Sequence, residues 1–125
     1  MIILKLEQLL FESDTWKRAL TFMTEENIRL KSRLSEILQK KIDKALLPRA
    51  EEFNSSFLKH DDLIKVLRND ISRFDKLLTR EQFEEGSVII VVESGLEIIR
   101  KNIKEAKERF SALQLDFYNQ MRFPS

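Results

Sequence analysis

A chain of 125 residues, 42% hydrophobic and 34% charged, is too apolar for a disordered segment and too charged for a membrane-embedded one. Two glycines and two prolines are too few for the turns of a β-sandwich or an alternating α/β fold. A net charge of +1 with no strongly basic stretch leaves no electrostatic footprint for nucleic acid, and the absence of cysteine excludes disulfides, thiolate metal sites and thiol nucleophiles.

The first segment carries apolar residues at alternating steps of three and four: Leu6, Leu9, Ser13, Trp16, Leu20, Met23, Asn27, Leu30, Leu34 and Ile37. That spacing is the seam of a helix that packs as in a coiled coil, and Leu10 and Leu38 widen it. Ser13-Asp14-Thr15 offers an alternative N-cap with the helix starting near Trp16, but the unbroken period favours one helix over about residues 3–46. Trp16, the only tryptophan, is expected in the core, with a partner-docking anchor as the other role for such a residue. Asn27 is a polar residue in an apolar seam, a place where one amide can fix register or oligomeric state; otherwise it faces water at the bundle edge.

Pro48 is the first punctuation, since proline disfavours helix at the residue before it and suits the first turn of the next helix. The chain therefore turns or kinks at 46–48. The second seam is Ala50, Phe53, Phe57, His60, Ile64, Leu67, Ile71, Phe74 and Leu78, over a helix of about 49–84. It runs undisturbed through Asn54-Ser55-Ser56. Glu85-Gly86-Ser87 reads as a C-cap followed by an N-cap. Helix three, about 87–122, opens on Val88-Ile89-Ile90-Val91-Val92 and carries Val92, Leu96, Ile99, Ile103, Ala106, Phe110, Leu113 and Phe117. Val88, Ile89 and Val92 are candidates for a subunit contact. Gly95 either lets another backbone approach or weakens its turn.

The expected architecture is all-α: one domain over residues 1–125, folded as an elongated up-down-up three-helix bundle. A three-helix rod has much surface for its volume, and Phe11, Phe22, Ile28, Phe83, Leu115 and Tyr118 fall off the seams. Both points favour a homodimer. The longest apolar run, Val88 to Val92, is far short of the ~20 residues of a membrane span, and the first residues lack a signal-peptide pattern. A cytoplasmic location without membrane contact is expected.

The lone histidine, His60, is the one residue that keeps chemistry in view. His60-Asp61-Asp62-Leu63 resembles the histidine box of phosphotransfer modules, in which an acid follows the histidine; the chain lacks the other residues of those motifs. A single histidine without a Glu-x-x-His pair cannot build a di-iron bundle site, so no metal or cofactor is expected. The adjacent carboxylates Glu25-Glu26, Glu51-Glu52, Asp61-Asp62 and Glu84-Glu85 diverge by about 100° on a helix, so they read as solubilising. No catalytic set emerges. Glu97 to Lys101 and Glu105 to Arg109 have the order that favours helix-surface ion pairs, interleaved with the basic row Arg100, Lys104 and Lys107.

Trp16-Lys17-Arg18-Ala19-Leu20, Glu25-Glu26-Asn27 and Leu30-Lys31-Ser32-Arg33-Leu34 together resemble the opening of small uncharacterised bacterial helical proteins of coiled-coil type. The layout is also similar to spectrin-type repeats, with Trp16 in the first-helix seam. Neither resemblance implies an activity. The residues thus point to a non-enzymatic interaction or scaffold protein that self-associates or docks a partner helix. A phosphotransfer-type signalling module using His60 is the second reading. A small-molecule binder among Phe53, Phe57, Phe110 and Phe117 is the third.

Overall fold

A computed structural model of the chain describes residues 2–40, 44–81 and 89–121, with side chains described for 6–40, 44–79 and 95–121. It contains three long helices: α1 (Ile2–Gln39), α2 (Leu47–Glu81) and α3 (Ile89–Gln120), with a single 3-10 turn, Lys44–Leu46, leading into α2. No strand occurs among the described residues. At 1.5 Å per residue the 38 residues of α1 extend about 57 Å.

Contacts across the helices fix the topology. Ser13 meets Asp75 and Asn27 meets Asp61, so α1 and α2 run antiparallel. Phe53 meets Phe117 and His60 meets Phe110, so α2 and α3 do too. α1 and α3 are therefore parallel, joined by Glu12 and Arg100, and each packs more extensively on α2 than on the other.

The seams expected from the residue spacing are the core. Every α1 seam residue from Leu9 to Ile37 is buried, including the polar Ser13 and Asn27, and so is every α2 seam residue from Ala50 to Leu78. On α3 the buried set is Leu96, Ile99, Ile103, Ala106, Phe110 and Phe117, with Leu113 packed at its edge. Trp16 packs edge-on against Phe74 at 5.4 Å between centroids. Toward the other end, Phe117 meets Phe53 and Phe57, each at 5.4 Å and steeply inclined.

One boundary differs clearly from expectation. Helix α1 stops at Gln39, not near residue 46. The next two seam positions after Ile37 would be Lys41 and Lys44; burial of an amphipathic face supplies most of a helix's stability, and charged side chains there offer none. The main-chain N–H of Lys40 donates to Ile37 O at 3.2 Å, a tightened last turn. The break therefore comes well before Pro48, which sits in the first turn of α2, where its missing N–H costs nothing. The helix is continuous through Ser13-Asp14-Thr15 and through Asn54-Ser55-Ser56. The turn expected at Glu85-Gly86-Ser87, together with Phe83 and Val88, lies outside the described residues, as do the side chains of Ile89 and Val92.

Candidate functional site

Polar residues divide the three interhelical faces into unlike kinds. On the α1–α2 face, the Asn27 amide is fully buried and donates to the main-chain oxygen of Phe57 at 2.9 Å and to Asp61 Oδ1 at 2.7 Å. Lys31, one turn along α1, donates to the other Asp61 oxygen at 2.5 Å. The same arrangement recurs. Ser13 donates to Asp75 Oδ1 at 2.5 Å, and Lys17, one turn along, pairs with Asp75 Oδ2 at 2.5 Å. Each clasp is a small buried donor plus a lysine four residues later, closing on one aspartate of α2. Halfway between, Arg68 donates to Thr24 Oγ1 at 3.3 Å.

The two clasps sit two heptads apart on both helices. A slip of one heptad would bring Arg68 against Lys17 or Lys31, and an aspartate against Leu20. Like charges, and a carboxylate beside an apolar side chain, disfavour that register. Asn27 therefore lies in the core and not at a wet edge, and Asp61 is an organised acceptor and not a solubilising partner of Asp62. The signal legible in the residues was the recurrence of Ser13/Lys17 and Asn27/Lys31 against Asp61 and Asp75. Burial pushes the Asp61 carboxyl up, but hydrogen bonds from Lys31 and Asn27 and the charges of Lys31 and His60 outweigh it, leaving it below the ordinary value of 3.8.

The α1–α3 face is closed by Arg100, which donates to Glu12 through Nε at 2.5 Å and a terminal nitrogen at 2.8 Å, a two-pronged carboxylate pair. It also holds Glu97 at 2.9 Å. Glu97 thus pairs three residues along instead of with Lys101, and Glu105 and Arg109 form no ion pair. Arg100 draws Glu97 because its guanidinium is already fixed toward α1.

The α2–α3 face has no ion pair between described side chains. Two grooves open along it. One, of about 320 Å³, is lined by Ser56, Lys59, His60, Leu63, Arg109 and Leu113. The other, of about 250 Å³, is lined by Asp70, Arg73, Phe74, Leu77, Gly95, Ile98 and Ile99.

His60 is 6% exposed. Its ring stacks on Phe110 at 4.5 Å and 14°, and Nε2 has no hydrogen-bond partner. In-line transfer of a phosphoryl group needs an open imidazole nitrogen, so this burial removes the ground of the phosphoacceptor reading. Phe53, Phe57 and Phe117 close on one another, filling with their own rings the place where an interior ligand was expected. Among the described residues no three His, Asp or Glu side chains converge as metal ligands, and no described helix is long and apolar enough to cross a membrane.

Burial lowers the His60 pKa from its ordinary 6.5, against the raising effect of the Asp61 charge. The unfolded chain takes up a proton near 6.5 and the folded chain only at lower pH, so folding stability is whole above that value and declines as pH falls below it. We predict that His60→Leu is neutral or stabilising by up to ~1 kcal/mol at pH 7, because an unpartnered buried nitrogen is replaced by an apolar group. Urea midpoints measured from pH 7.5 to 5.5 should fall less steeply in the variant than in the parent.

No family model matches the chain, and no curated protein or solved structure matches it.

Proposed function

We propose that the protein is a non-enzymatic interaction module that self-associates, the Gly95 end of the α2–α3 face of one copy packing on the same end of a second across a two-fold axis. The observation that carries this reading is Gly95. It lies within α3 and lines the groove formed by Phe74, Leu77, Ile98 and Ile99 with Asp70 and Arg73. A glycine inside a helix costs about 1 kcal/mol relative to alanine, and that cost is tolerated where another backbone must come close. Yet a Cβ at Gly95 would meet nothing within 4 Å; no described residue of its own chain makes use of the space. The neighbour that would use it comes from another molecule. Ile98 on α3 is 61% exposed and Val66 on α2 is 55% exposed, adding apolar surface to this side. Ion pairs bridge the other two faces, and a groove lined by Leu34, Leu38, Leu47 and Ala50 opens at one end of the α1–α2 face. Among the described residues, only the α2–α3 face combines a groove with an in-helix glycine, as a close isologous contact requires.

Light scattering coupled to gel filtration tests the proposal. The parent protein is expected to run as a dimer, with an interface above about 1,000 Å². Ile98→Lys should give a monomer with unchanged helix content. Gly95→Ala separates the two roles of that position: it should raise the stability of the isolated chain by about 0.5–1 kcal/mol while weakening the dimer. A parent protein that stays monomeric at every concentration, or a Gly95→Ala dimer as tight as the parent's, would sink the proposal.

A further inference from the structure

The groove at the other end of the α2–α3 face has a different chemistry. His60 lies fourteen residues before Phe74 on α2, about 21 Å away along the helix. Lys59 on α2 and Arg109 on α3 flank it. Among the described residues neither cation makes an ion pair or hydrogen bond, whereas Lys17, Lys31 and Arg100 all hold carboxylates. The Ser56 hydroxyl is likewise without a partner. The same groove is lined by His60, whose buried Nε2 is an orphan. An unsatisfied buried polar atom in a native core calls for an explanation, and here it coincides with two unpaired positive charges. Half-buried Leu63 and Leu113 complete the lining.

We infer that this groove is a binding site for a small carboxylate carrying an aliphatic body. Arg109 offers a planar fork to the two carboxylate oxygens and Lys59 a second positive charge. Ser56 supplies a hydroxyl donor, and Leu63 and Leu113 cover the aliphatic part. A volume of about 320 Å³ stands at the small end of ligand sites, so the ligand is small. Inorganic phosphate would meet the cations but leave the leucines uncovered.

A bound carboxylate also changes His60. The charges around the imidazole are Asp61 and Lys59 on α2, Arg109 on α3 and, from α1, Lys31, which is tied to Asp61. An anion held in the groove beside the ring acts in the same direction as the Asp61 charge and favours the protonated imidazole. Binding therefore takes up part of a proton and tightens as pH falls through the range where His60 titrates, as long as the ligand stays ionised.

The single histidine makes the test direct, because the protein has one set of imidazole resonances. Octanoate titrated at pH 6.5 is expected to move the His60 signals saturably, with a Kd of about 1 mM or tighter, and to raise the His60 titration midpoint. Octanol and inorganic phosphate should each bind at least ~10-fold more weakly. The double variant Lys59→Ala/Arg109→Ala should weaken octanoate by ~10-fold or more while leaving helix content and oligomeric state as in the parent. His60 signals unmoved by octanoate, an equal response to phosphate or octanol, or undiminished octanoate binding in the double variant would each overturn the assignment. Gly95 and Ile98 are untouched in these variants, so the outcome does not depend on self-association.

Discussion

Phe117→Ala should lower the unfolding free energy by about 3–5 kcal/mol, the cost of removing a large buried aromatic and leaving a cavity that cannot fully collapse. Phe117 is 1% exposed and serves two rings at once, meeting Phe53 and Phe57 on α2 edge-on at 5.4 Å. Such inclined pairs add roughly 0.5–1.5 kcal/mol each beyond burial. The loss is concentrated because no ion pair between described side chains bridges α2 and α3; aromatic and aliphatic packing is what holds α3 on α2. Phe117→Leu keeps most of the volume and should cost about half as much or less. Urea denaturation followed at 222 nm and by Trp16 fluorescence checks both. Trp16 lies toward the opposite end of the bundle, so coincident transitions would show that the rod unfolds as one unit. A Phe117→Ala midpoint within error of the parent's would contradict the packing described here.

Asp61→Ala is the second large expectation, at about 1.5–3 kcal/mol. The aspartate accepts from Asn27 and from Lys31 through its two oxygens. Without it, Lys31 can turn to water, but the Asn27 amide stays fully buried with a donor unmade. A double-mutant cycle with Asn27→Ala isolates the pair, and a coupling near zero would show that the two do not act together. The pH dependence gives an independent sign. The folded-state pKa of Asp61 is lowered from 3.8, so the stability it contributes is present above the unfolded value and lost as pH falls through the lower, folded one. Asp61→Ala should therefore flatten the acid limb of the stability curve below about pH 4. An unchanged limb would count against the clasp.

Register was partly legible in the residues. Ser13 and Asn27 interrupt an apolar seam, and polar residues there commonly specify alignment. Their partners were not legible. Asp61 looks in sequence like half of a surface pair with Asp62. What separates the two is the direction each faces once α2 lies against α1, a matter of axial stagger that one helix does not encode by itself. Gly95 was legible as an oddity whose meaning needed the finding that no described residue of its own chain fills the space above it. Glu97 to Lys101 satisfied the local rule for helix pairs and failed because Arg100 was already oriented by Glu12, more than eighty residues away in the chain.

The chain's helices and seams are local, periodic properties. Burial repeats every three or four residues, and few glycines or prolines interrupt it, so the number of helices, their order and nearly all their buried residues follow from the sequence alone. The absence of a catalytic set was an expectation from the same reading, and His60 was the one residue left to carry chemistry. The tertiary structure decided what that histidine meets: it is sealed against Phe110, with one nitrogen unpartnered. It also decided that ion pairs bridge two faces of the bundle while the third has none between described side chains. Those outcomes depend on the relative stagger and rotation of three packed helices, and charged side chains that look alike along one helix become unlike only when a neighbouring helix is set beside them.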